Sequence, residues 1–185
     1  MIRQFTVLQA IMIVLMIIAL AVSNQVTAQN NRNGTLGQAT QTTRVNAAPK
    51  TGATPYAYCY GANMKCTGSR CSQIKVITPS NSDVLVTLKQ NGKVVAHAYI
   101  SASSSYTFDV PNGTYQPFFY YGKNWDNQKV MTQTNCGTLR GGFAQNEYFG
   151  KDTPEKLDND VLTYELILQQ SGNFSTIPSN QKEAF

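Results

Sequence analysis

Alternation of apolar and polar positions is strongest between residues 83 and 122, and there it predicts strands. In "SDVLVTLK", Val84, Val86 and Leu88 fall on one face and Leu85, Thr87 and Lys89 on the other, the period of two that a pleated chain imposes. "QNGK" follows, and an Asn-Gly pair between two alternating runs predicts a two-residue hairpin. The returning arm, residues 93–100, sets Val95, His97 and Tyr99 opposite Val94, Ala96, Ala98 and Ile100. A third strand, "SYTFDV", stops at "PNG", where proline and glycine interrupt a ladder. The fourth, "YQPFFYYG", places Tyr115, Pro117, Phe119 and Tyr121 on one face and Gln116, Phe118 and Tyr120 on the other. "SQIKVI" reads as a further strand, as does "VLTYELILQQ", whose "SGN" exit at 171–173 predicts another hairpin. Only "TPEKLDND", residues 153–160, resembles a helix start, with Pro154 at a first helical position and acids in the first turn. Short strands about ten residues apart with turn signals between them predict a mainly β chain, an antiparallel β-sandwich.

Two segments before it break this pattern. "FTVLQAIMIVLMIIALAV", residues 5–22, is apolar on every face, whereas a soluble core helix keeps a polar side. A membrane-spanning helix takes about 20 apolar residues, so an N-terminal hydrophobic helix serving as an uncleaved anchor is one expectation. A signal peptide over residues 1–28 is the other: Arg3 makes a short positive region, and Val26 and Ala28 end a site of compact residues. Under either, the remainder lies outside the cytoplasm, periplasmic, surface-bound or secreted, and the membrane is met only through this segment. Residues 29–55 are rich in Asn, Gln, Thr, Gly and Ala and show no hydrophobic period. Such a composition cannot offset its own chain entropy and predicts a disordered polar linker. The folded domain is expected over 56–185.

Charge changes the picture by exclusion. The chain carries a formal +5, but Arg3, Arg32, Arg44 and Lys50 precede Tyr56, and beyond it eleven Lys/Arg face ten Asp/Glu. A nucleic-acid surface needs a basic stripe on the domain itself, so nucleic acid is not an expected partner.

The passages "VLVTLKQNGKVVAHAYIS" and "SYTFDVPNGTYQPFFYYG" resemble the strand-turn-strand units of transthyretin-like or carboxypeptidase-regulatory-like sandwich modules, over about forty residues. The resemblance implies a non-catalytic accessory domain of an exported protein.

The four cysteines, Cys59, Cys66, Cys71 and Cys136, contain no Cys-x-x-Cys knuckle of the kind zinc sites use. In an exported chain an even count predicts disulfides. The pairing expected is Cys71 with Cys136, which closes the longer loop, and Cys59 with Cys66. No metal or other cofactor is expected. The acids Asp152, Glu155, Asp158 and Asp160 lack the spacing of a calcium loop and read as a solvated helix start. His97, the sole histidine, has no nucleophile motif beside it and reads as a half-exposed strand residue. No catalytic residue is expected.

Six of the nineteen aromatic side chains crowd into residues 115–125. Phe118 and Phe119 have no polar group and are expected in the core, on opposite faces of one strand. A strand aromatic on both faces needs a cover over its second face: a loop, the C-terminal tail or a partner. Tyr120, Tyr121 and Trp125, with Lys123, Asn124 and Asp126 just past Gly122, are expected to form a loop-edge platform for a surface protein or polysaccharide. The function expected is a non-enzymatic binding module. The alternative is a structural or accessory domain of a cell-envelope assembly, with those aromatics buried.

Overall fold

The structure is a computed structural model that describes residues 47–166 and 176–185. The apolar run at 5–22, the expected cleavage site, most of the linker and the expected turn at 171–173 lie outside the described residues. Among the described residues, no helix is long and apolar enough to cross a membrane.

The chain is mainly β. Its strands are β1 (Cys71–Ile77), β2 (Asp83–Gln90), β3 (Lys93–Ile100), β4 (Ser105–Pro111), β5 (Gly113–Thr134), β6 (Gly137–Lys151), β7 (Glu155–Leu157), β8 (Val161–Glu165) and β9 (Ile177–Pro178). Among the described residues, two one-turn helices, α1 (Ala57–Tyr60) and α2 (Gln181–Ala184), flank them. The larger sheet runs β3-β2-β5-β6-β9, with β7 paired to the start of β5, and the smaller runs β4-β1-β8. The sheets are not wholly antiparallel, since β1 and β8 run parallel. The expected helix start is corrected too: Pro154 precedes β7, which extends to pair Gly113, Thr114 and Tyr115. Asp158 and Asp160 lie in the turn that follows, where Asp160 Oδ2 accepts from the Asp158 N–H at 2.8 Å.

Period-two patterning explains two cores. Ile74 and Val76 of β1, Phe108 and Val110 of β4 and Tyr164 of β8 gather with Val84, Val86, Leu88, Ala98, Phe119 and Tyr121 of the larger sheet. This cluster draws on residues of both sheets. The remaining face of the larger sheet carries a row that crosses four strands: Tyr99 opposite Leu85, Leu85 opposite Tyr120, Tyr120 opposite Phe149. Tyr56, Trp125, Met131, Leu139 and Phe143 close over that row as a second, aromatic core. Burying a large apolar side chain is worth about 1.5–3 kcal/mol, so each cluster is a substantial source of stability.

The cover over the second face comes from both ends of the described chain. Gly52 donates to the Tyr99 carbonyl and Tyr99 to that of Ala53, each at 2.8 Å. The Asn63 side chain then brackets His97, donating to its carbonyl at 2.8 Å and accepting from its N–H at 2.9 Å. Met64 N–H donates to Val95 O at 2.9 Å. These contacts occupy the outer edge of β3, the row of unpaired backbone groups that would otherwise invite another strand. Backbone pairing with β3 is present from Gly52, and residues 52–64 serve as its edge cover. From the other end, Phe185 packs edge-on to Tyr56 with centroids 5.1 Å apart, and Thr87 Oγ1 donates to Ala184 O at 3.0 Å.

The cysteine pairing is a correction. Cys59 joins Cys136, with Cα atoms 5.4 Å apart, and Cys66 joins Cys71, at 5.6 Å. The tip of the β5–β6 hairpin is therefore stapled to α1 rather than to β1.

Candidate functional site

The six residues expected to form a platform around Gly122 are distributed over different faces. Trp125 is only 4% exposed and Tyr120 1%, and both belong to the second core. Tyr121 is buried on the opposite face, in the cluster shared by the two sheets. Lys123 and Asn124 are exposed and Asp126 is half-buried, its Oδ1 accepting from the Gln128 N–H at 2.8 Å. The six residues do not converge on one surface. The physical reason is Gly122, which does not end the strand. A Cβ there would meet Phe143 Cβ at 2.3 Å; its missing side chain lets β6 close on β5, and β5 continues through an irregularity in register to Thr134. Trp125 is thereby carried back over the sheet. Its ring stands edge-to-face with Tyr99 and Phe143, at 5.6 and 5.2 Å between centroids, and Nε1 donates to Asn127 Oδ1 at 2.8 Å.

Phe118 and Phe119 are both buried and lie on opposite faces, as alternation requires: Phe119 packs on Tyr164 of the smaller sheet, and the Lys89 ammonium sits 5.2 Å above the Phe118 ring.

His97 is fully buried, not half-exposed. Tyr56 stacks on it at 6.0 Å, and the Tyr56 N–H donates to Nε2 at 3.0 Å. The ring proton accordingly belongs on Nδ1, which has no well-formed hydrogen bond. Burial pushes the imidazole pKa down to about 4, outweighing an opposing interaction with the Thr54 backbone, so the ring is neutral near pH 7. Burial likewise raises the Tyr120 hydroxyl to about 12. Among the described residues, no group of three or more His, Cys, Asp or Glu stands together in a way that could hold a metal ion.

Clefts at the surface of the described residues include two of ligand size. One, of about 620 Å³, lies beside the small Cys66–Cys71 loop and has Lys65, Arg70 and Asp158 in its walls. Its charges are mixed, and its Asp158 is already engaged by Asn112 Nδ2 at 2.5 Å. The other, of about 560 Å³, opens between the hairpin tip, the β2–β3 turn and α2. Tyr60 and Phe185 supply its aromatic surface, residues 132–136 a polar wall, and Lys93 and Lys182 two cations. The Tyr60 hydroxyl donates to Phe185 O at 3.3 Å and is raised to about 12, mainly by burial and secondarily by Tyr58. The Cys59–Cys136 bridge forms part of this lining. Nothing in the alternation of residues marked this cleft, because it joins turns and termini distant in sequence. One signal was present in "TNCGT", a turn sequence that places a cysteine at a hairpin tip.

Compared with known proteins, the chain matches no protein-family model, no curated protein and no solved structure.

Proposed function

We propose that this chain is an exported, non-catalytic accessory module of a cell envelope, and that its two sheets form a β-sandwich of the transthyretin-like or carboxypeptidase-regulatory-like kind. The observation that carries the reading is the burial of Trp125. The residues best suited to an exposed platform are spent on an internal core, which favours a rigid accessory domain over a module that binds through a loop-edge aromatic patch. The enclosure and neutrality of His97 support a non-catalytic role, since a general base must reach its substrate. Two disulfides in a domain of this size suit an oxidising compartment. Residues 5–22 direct export, as a signal peptide ending at Ala28 or as a retained anchor, and the polar segment after them tethers the domain to its protein or polysaccharide partner.

Fractionation of native cells tests this reading. The protein is expected in the envelope or exported fraction with its cysteines blocked to alkylation, and the purified domain should sediment with insoluble envelope material. Recovery in the cytosol with four titratable thiols would overturn it.

A further inference from the structure

The geometry points to the cleft between the hairpin tip and α2 as a binding site for an acidic polysaccharide, a sugar chain bearing carboxylate or sulfate groups. The inference deepens the proposed envelope role and rests on it only in placing the domain outside the cytoplasm. The volume of about 560 Å³ lies within the range of about 300–1,000 Å³ usual for ligand sites. Its walls are held before any ligand arrives: the Cys59–Cys136 bridge ties the hairpin tip to α1, and Phe185 is wedged against Tyr56, Tyr120 and Phe149. Preorganisation of this kind removes the ordering cost of binding.

The ligand class follows from the lining. Lys93 and Lys182 border the cleft, and no Asp or Glu side chain does. Among the described residues neither ammonium is in an ion pair, those formed being Lys129 with Glu147 and Lys151 with Glu183. A concave surface with cations of one sign concentrates anions. Amides and hydroxyls from Gln133, Asn135 and Thr132 match the vicinal hydroxyls of a sugar ring, and the half-buried Tyr60 ring supplies the flat apolar face against which the C–H side of a pyranose packs. An acidic peptide would share the charge complementarity. It would also want an enclosed apolar pocket for an anchor side chain, whereas this cleft is open and shares its apolar surface with as much polar surface.

Titration calorimetry on the full-length chain in detergent, with oligogalacturonate, a neutral galactose oligomer of equal length and a short polyglutamate peptide, tests the site. Oligogalacturonate should bind with an affinity that falls as salt rises, and about tenfold more tightly than the neutral oligomer. The double variant K93A/K182A should lose that preference by about tenfold while keeping the parent melting temperature. Equal binding of the neutral oligomer, tighter binding of polyglutamate, no binding of any probe, or an unaltered double variant would each overturn the proposal. All of these outcomes are independent of the fractionation result, so the failure of one reading is separable from the failure of the other.

Discussion

The backbone of Gly141 is pressed against the indole of Trp125, so closely that a Cβ on Gly141 would stand 2.8 Å from Cζ2 of the ring. The same residue sits at φ +103°, and its carbonyl accepts the Tyr56 hydroxyl at 2.6 Å. One position on the β5–β6 hairpin thus joins Trp125 to the segment that covers the sheet. Gly141→Ala combines a left-handed backbone with a steric conflict, and roughly 1–3 kcal/mol of destabilisation is expected from the strain alone. Gly92→Ala is the control: φ is +75° in the hairpin turn, with open space where the Cβ would go. Denaturant melts should show the larger loss at Gly141.

Trp125→Ala should now cost about as much as Phe119→Ala, roughly 3–5 kcal/mol for each large buried ring. Both side chains are enclosed, at 4% and 0% exposure. The emission of Trp125, the sole tryptophan, should be blue-shifted and resistant to iodide in the folded protein. A red-shifted, quenchable emission would show that the second core is open.

The strands from 83 to 122 were legible because alternation and the Asn91-Gly92 turn act locally. The opposed burial of Phe118 and Phe119 follows from that same period. What was not legible is what depends on contact across the chain. Gly122 carries the local signature of a strand end, and only Phe143, about twenty residues on, shows that it is a point of close approach. Trp125 is buried for that reason, although its polar neighbours predict a surface position. His97 alternates with alanines like any edge residue, and its burial is imposed by Tyr56 and Asn63, which lie outside the period. The cysteines gave the number of bridges but not their pairing, since the position of the hairpin tip depends on a strand longer than the alternating stretch.

The two bridges should differ in weight. In the chain-entropy account, the link between Cys59 and Cys136, with a separation of 77 residues, is worth about 4–5 kcal/mol. The Cys66–Cys71 link, with a separation of 5, is worth about 2 kcal/mol. Thermal melts of C59S/C136S and C66S/C71S should rank the first variant as the less stable. The reverse order would show that the hairpin tip is held by its packing rather than by the bridge.

His97 makes stability depend on pH in a window that its environment defines. Its pKa in the folded chain, about 4, lies below the ordinary histidine value of 6.5, because Tyr56, Tyr60 and the β3 edge cover exclude water from the ring and, among the described residues, no acidic side chain is hydrogen-bonded to it. Between these two values the unfolded chain binds a proton that the folded chain refuses. The contribution is therefore complete above about pH 6.5 and is lost as pH falls to about 4, below which both states are protonated and nothing more is lost. The full effect is about 3 kcal/mol. Carboxylates also titrate in the lower part of this window, so the comparison must be with a variant that keeps the local hydrogen bond. His97→Gln retains an acceptor for the Tyr56 N–H and does not titrate. Urea melts from pH 4 to 8 should show the parent losing stability toward acid more steeply than His97→Gln, with the two curves parallel above about pH 7. Identical slopes across the window would mean that the ring takes up its proton in place, and that the cover over β3 admits water.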